Sequence, residues 1–313
     1  MAETPFTFDA SDAQTPEEWL LRMDEIGEEL GYFEPLGETH AALFIDDAPT
    51  LLVTFETVES IRNDSPEQLP LGARIARGKG WSHLCVMASQ QSWYRDPSVW
   101  GYFDRLVDDA FFEDFDRVVF YGAGMGGYAA AAFSVSAPGA TVLALAPQAT
   151  LTPDLAGWDQ RFAGFRRLDF TSRYGFAPDM TEGAGDVFIL HDPTRSYDAM
   201  HAALFHRPYV RRLRCPHLGA NIEAEFAKMG ILEDLIRAAC EGRLEPGEFH
   251  RLYRARRRHA PYLIRLAGRA QAAGRAGLTR MACRRALEMQ DHPRLRRMLA
   301  WAESELGLAG AGA

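Results

Sequence analysis

The sequence predicts an α/β protein, a mostly parallel, doubly wound sheet followed by an all-helical C-terminal unit. Three observations predict it. Short β-rich runs recur at 41–46, 50–56, 81–87, 117–121, 140–145, 186–191 and 208–214, several of them almost continuously apolar, as in strands buried on both faces. Helical stretches near 70–78, 99–113, 125–137 and 196–206 separate most of these runs, and that alternation implies parallel pairing with helices on both faces. From about residue 220 onward no strand is legible, and an Arg/Ala/Leu-rich helical periodicity takes over.

The elements follow in order. Thr15-Pro16-Glu17-Glu18 supplies a cap, a first-turn proline and first-turn acids, so an acidic helix is expected near 15–30. The runs 41–46 and 50–56, split by Asp46-Asp47-Ala48-Pro49, read as a hairpin. The C-terminal region is punctuated at Glu245-Pro246, Ala260-Pro261, Ala273-Gly274 and His292-Pro293. Pro261 and Pro293 lie 32 residues apart, with Leu263 and Leu295, Arg265 and Arg297, and Leu266 and Met298 in the same register. Two helical hairpins of tetratricopeptide size fit that spacing, although the signature residues of that repeat are absent. The expected organisation is an acidic helical segment over 1–34, an α/β domain over 35–235 and a basic helical unit over 236–313.

Composition narrows the function classes. Of 313 residues, 47% are hydrophobic and 25% charged, enough for a sizeable core. Met1-Ala2-Glu3-Thr4-Pro5-Phe6 lacks a basic start and an apolar run, which argues against a secretion signal. The most apolar stretch, 125–149, is broken by Ser134, Ser136, Pro138 and Gly139, whereas a bilayer span needs about 20 nearly uninterrupted apolar residues. Cys85, Cys215, Cys240 and Cys283 show no metal-binding spacing, so no metal and no cofactor is expected, and a reducing, cytoplasmic setting is. Residues 241–313 carry 15 arginines and 7 acidic residues, while the remainder carries 19 basic and 36 acidic residues, for a net charge of −9. An acidic body repels nucleic acid, and a basic tail is expected to dock on that body, on a second copy or on a protein partner. Leu263, Leu266, Met298 and Trp301 are the apolar positions expected to carry that contact. The arginine run Arg254-Ala255-Arg256-Arg257-Arg258-His259 reads as a solvated helix face.

The segment 117–130 carries the chemistry in two possible ways. Gly122, Gly124 and Gly127 match G-x-G-x-x-G, in which glycines let the backbone approach a pyrophosphate at a helix N-terminus. A dinucleotide site also wants an acid at the end of the next strand, and here Ala146-Pro147-Gln148 follows. Alternatively, Gly122-Ala123-Gly124-Met125-Gly126 fits the G-x-S-x-G nucleophile elbow of the α/β-hydrolase fold everywhere except at Gly124, where the serine would be. Triad partners in that fold come in the order nucleophile, acid, histidine. Asp192, at the carboxyl end of the strand 186–191, and His217, in Cys215-Pro216-His217-Leu218-Gly219, follow in that order. Asp192 before Pro193 is also read as a turn or cap residue, with Asp198 as second candidate acid, and His217 also as a structural histidine. Cys85, mid-strand, reads as a buried small hydrophobe. Trp93 and Tyr94 read either as an aromatic wall of the cleft or as core.

Tyr121-Gly122-Ala123-Gly124-Met125-Gly126-Gly127-Tyr128-Ala129-Ala130 resembles the Gly-x-Ser-Met-Gly-Gly-Tyr elbow of bacterial α/β-hydrolase-fold proteins, some tied to polysaccharide or glycoprotein export systems. Ala146–Leu151 and His191-Asp192-Pro193 are similar to segments of the same group, and the resemblance spans roughly 40–220. It implies an α/β-hydrolase-like domain with Asp192 and His217 in the acid and base positions. It also implies oxyanion-hole positions at the N–H of Met125 and one near Thr57. Glycine at 124 has no hydroxyl, so the expected protein has lost serine-nucleophile catalysis and acts as a ligand-binding or scaffold protein. A small anionic or acyl ligand would lie among Gly122, Gly124, Met125, Gly126, Thr57, Trp93 and Tyr94. The alternatives are an ester or acyl hydrolase or transferase using Asp192 and His217 as general base, and nucleotide binding at Gly122–Gly127.

Overall fold

The computed structural model describes residues 8–47 and 49–308; residues 1–6, read for a secretion signal, and Ala48 of the 46–49 turn lie outside them. Eight strands form one sheet: β1 (Gly31–Leu36), β2 (His40–Ile45), β3 (Thr50–Thr57), β4 (Ser82–Ala88), β5 (Arg117–Ala123), β6 (Thr141–Leu145), β7 (Asp186–His191) and β8 (Val210–Arg214). Their order is β1-β2-β4-β3-β5-β6-β7-β8. β2 runs antiparallel to β1 and β4, whereas the β4–β3, β3–β5, β5–β6 and β6–β7 pairs are parallel. This mostly parallel sheet with one antiparallel strand next to its edge is that of the α/β-hydrolase fold.

The hairpin expected between 41–46 and 50–56 does not form, because β4 lies between β2 and β3. The hairpin partner of β2 is instead β1, joined to it through Gly37 at φ +67. β1 went unread because Glu34 and Pro35 interrupt its apolar pattern, and both are tolerated on an edge strand.

Alternation along each strand divides the core. From β4, Leu84, Val86 and Ala88 join a large cluster with Phe55, Phe103, Phe120 and Phe133. Cys85 and Met87 face the opposite side and pack with Leu43, Trp19, Met23 and Ile26. The last three lie on α1 (Pro16–Leu30), which starts at a complete capping box between Thr15 and Glu18. α2 (Val58–Asp64), α3 (Leu71–Arg77), α4 (Pro97–Asp108) and α5 (Met125–Phe133) supply the crossovers.

The chain separates into two compact units. The first takes residues 1–191, 196–213 and 236–243, and holds the sheet. The second takes 192–195, 214–235 and 244–313. Within the second, helix Ala260–Ala272 packs on Ala276–Leu287, which packs on Pro293–Glu305. Pro261 and Pro293 each open a helix, so their 32-residue spacing records two helix starts. Leu263, Ala267, Cys283, Leu295 and Met298 are buried. No helix among the described residues is long and apolar enough to cross a membrane.

Candidate functional site

β5 passes into α5 through Gly124, whose backbone adopts φ +56 and ψ −118, a conformation that L side chains rarely accept. Its N–H donates to the Leu145 carbonyl on β6 at 2.8 Å, and its own carbonyl accepts from Tyr128 at 3.0 Å. The two glycines that flank it in the motif serve close packing. A Cβ on Gly122 would stand 2.2 Å from the Gly126 carbonyl oxygen, and one on Gly126 would stand 2.3 Å from that of Phe55. Gly124 is different: a Cβ there would meet no atom within 4 Å. The turn therefore holds a strained backbone at a residue without a side chain, and side-chain space remains beside it.

No side chain caps the start of α5. The N–H groups of Met125 and Gly126 have no carbonyl one turn back within the helix, and the helix dipole makes that end favourable for negative charge. The helix can approach the sheet closely because Ala129, Ala130, Ala131 and Ala132 are all fully buried. Thr57 ends β3 and caps α2, and its N–H donates to Ser60 Oγ at 3.2 Å. The second oxyanion position implied near Thr57 is thus a donor already engaged by a hydroxyl.

Trp93 and Tyr94 follow β4 with φ +49 and +55 and are buried. Trp93 Nε1 donates to Gln148 Oε1 at 2.9 Å between the rings of Phe162 and Phe165. Tyr94 donates its hydroxyl to the Glu56 carbonyl at 2.8 Å and packs edge-on against Phe55. Both side chains are held by core contacts.

In the second unit Asp192, 1% exposed, accepts three hydrogen bonds. Thr194 donates from its N–H (2.8 Å) and hydroxyl (2.7 Å) to one carboxylate oxygen, and the Gly219 N–H donates to the other (2.8 Å). Asp192 thereby fastens the loop that carries His217. His217 has φ +67, and its carbonyl accepts from Arg265 Nε at 2.7 Å. Among the described residues no hydrogen bond joins the Asp192 carboxylate to the His217 ring. Partial burial depresses the His217 pKa; Asp192 opposes that shift, while Arg269 and Arg265 add to it. A neutral imidazole at neutral pH results, the form that a general base requires.

Two polar clusters in the first unit were not legible from motif spacing. Glu56, His83 and Cys85 gather on β3 and β4, their ligand-capable atoms within 4.8 Å of one another. Glu56 accepts from the N–H groups of Leu71 (2.8 Å) and Gly72 (3.3 Å) and from the Thr54 hydroxyl (2.7 Å). Thr54 is also 3.0 Å from His83 Nε2. Burial drives every member toward its neutral form: it lowers the His83 pKa to about 3 and raises those of Glu56 and Cys85. These three donor types suit a metal such as zinc, but binding would require the thiolate that the surroundings disfavour. In the other cluster, Asp159 accepts from Arg161 and His201, while Arg161 also pairs with Asp198 at 2.6 Å. His201 Nδ1 accepts from the Ala149 N–H at 3.2 Å, so both ring nitrogens are occupied. Asp198, the second candidate acid, is committed to this clamp.

No family model matches the chain, and no curated protein matches its sequence. Solved structures do align with it. A thermophilic carboxylesterase cloned from a metagenomic library is 14% identical, with a TM-score of 0.40 over 74% of this chain and 99% of its own. A hyperthermophilic esterase from Pyrobaculum calidifontis is 13% identical, with a TM-score of 0.45 over 73% and 92%. The capsule O-acetyltransferase of Neisseria meningitidis serogroup A is 11% identical, with a TM-score of 0.39 over 62% and 91%.

Proposed function

We propose that this chain is an α/β-hydrolase-like binding protein in which serine-nucleophile catalysis is lost and the elbow holds a small anionic or acyl ligand. One observation carries the reading: Gly124 has an elbow backbone, φ +56 and ψ −118, open side-chain space and no hydroxyl. A carboxylate, phosphate or sulfate at the start of α5 gains about 0.3–1 kcal/mol from the dipole when exposed and up to about 2 when partly buried. Nucleotide binding has less support, since Gly122 and Gly127 of that motif are explained by close approach to neighbouring backbone.

The expected result with a serine-directed phosphonate is no covalent adduct on the 117–130 peptide by mass spectrometry, and an adduct there would overturn the proposal. Anion binding is tested by the rise in unfolding temperature with acetate, a monocarboxylate. Gly124→Leu should remove that rise by filling the space beside the turn, and a persisting rise would place the anion elsewhere.

A second reading is favoured by His217, held neutral on a loop that Asp192 fastens. In it the imidazole takes a proton from water or a substrate hydroxyl attacking an ester. Turnover of an activated ester that His217→Ala abolishes would support this reading; turnover equal in the two proteins would remove it.

A further inference from the structure

Within the second unit, a short 3₁₀ helix, Tyr253–Arg258, connects helix Pro246–Leu252 to helix Ala260–Ala272. Side chains three apart eclipse on such a helix, so Arg254 and Arg257 project from one side, with Arg258 adjacent. These three arginines, with Lys228, Met229 and His259, line a cavity of about 510 Å³.

The run is not uniformly a solvated face. Arg256 turns inward, donating to the Tyr253 carbonyl at 2.7 Å with its guanidinium over the Tyr253 ring. Arg251 pairs with Glu248. Among the described residues, Arg254, Arg257 and Arg258 have no carboxylate partner. Glu225 is already engaged by His259 at 3.0 Å and by Arg265, with Lys228 at 3.7 Å. Three arginines without a carboxylate partner thus face one cavity beside Lys228, and their mutual repulsion is left for a bound anion to offset.

We infer that this cavity is a binding site for a compact polyanion carrying two or more phosphate or sulfate groups. The guanidinium fork matches tetrahedral oxyanions in bidentate fashion. The volume lies within the roughly 300–1,000 Å³ of small-molecule sites, more than one phosphate needs. Two anionic groups would engage Arg254 and Arg257, with Arg258 and Lys228 closing the rim. A long nucleic acid would meet repulsion from a chain of net charge −9, so a compact ligand is favoured.

The test uses the full chain and inorganic tripolyphosphate, followed by calorimetry. Saturable one-to-one binding is expected, weaker for monophosphate and sulfate by at least about tenfold and declining between about 50 and about 200 mM salt. The triple variant R254Q/R257Q/R258Q should lose at least about tenfold in affinity while keeping its unfolding temperature, since all three side chains are exposed. Arg251→Gln, whose guanidinium is paired with Glu248, should bind as the wild type does, and loss of binding in the triple variant, which leaves the glycine turn unchanged, separates this site from the elbow. Absence of saturation at millimolar ligand would overturn the inference. So would undiminished binding by the triple variant, or tighter binding of a single-stranded oligonucleotide than of tripolyphosphate.

Discussion

Gly126→Ala should nearly abolish folding, whereas Gly124→Ala should leave a folded, moderately weakened protein. At position 126 the new methyl would stand 2.3 Å from the Phe55 carbonyl oxygen. That neighbour is backbone in the middle of the sheet, so it cannot move aside without displacing β3 from β5. Overpacking of this kind costs about 1–3 kcal/mol where side chains can yield and more where they cannot. Against a typical total stability of roughly 5–15 kcal/mol, loss of soluble protein is the expected outcome. At position 124 the methyl meets open space, and the remaining penalty is backbone strain of about 1–3 kcal/mol. Soluble yield and urea denaturation of the two variants give the comparison. A Gly126→Ala protein as stable as Gly124→Ala would mean that α5 does not lie against β3 as described.

The second large effect is acid sensitivity from His83. Its pKa falls from 6.5 to about 3 because the ring is buried, so the unfolded chain takes the proton first as pH drops. The stability contribution is therefore complete above pH 6.5 and is lost progressively between about 6.5 and 3. By pH 4 the loss from this group is about 3 kcal/mol. Glu56 acts with the opposite sign. Burial raises its pKa above 4.5, so its contribution is present in acid and is lost as pH rises through the folded value. His40 and His201 are shifted in the same direction as His83. Comparing the wild type with His83→Gln cancels these other groups. The variant's stability should vary with pH less steeply than the wild type's between 6.5 and 4. Parallel curves would show that His83 is not held neutral by its surroundings.

Much of the sheet was legible because its central strands are buried on both faces and read as unbroken apolar runs. β5, α5 and the glycine turn between them are set by local chemistry, and they emerge where the sequence places them. The β2–β3 connection was misread because turn residues at 46–49 signal a change of direction but not which strand will fill the gap. Only the pairing of Leu43 with Cys85 and of Thr54 with Cys85 reveals that β4 enters between them. Trp93 and Tyr94 illustrate another limit. An aromatic pair after a strand looks the same in sequence whether it lines a cleft or fills the core, and here Gln148 and the Glu56 carbonyl hold the two inside. The Glu56–His83–Cys85 cluster has no motif because its members come from two strands brought side by side by the fold. The arginine run looked uniformly solvated because a charge count does not record which guanidinium folds back on Tyr253.

The strand order also has a consequence for synthesis on the ribosome. β3 needs β4 on one side and β5 on the other, and β5 begins 60 residues after β3 ends. At roughly 5–20 residues per second, one edge of β3 waits on the order of 10 s for its partner. During that interval Leu51, Val53 and Phe55 belong to a nascent strand whose second edge is unpaired, open to association with neighbouring chains. A ribosome paused before codon 117 would prolong that exposure, making this interval the one in which a holdase chaperone would protect the yield of native protein.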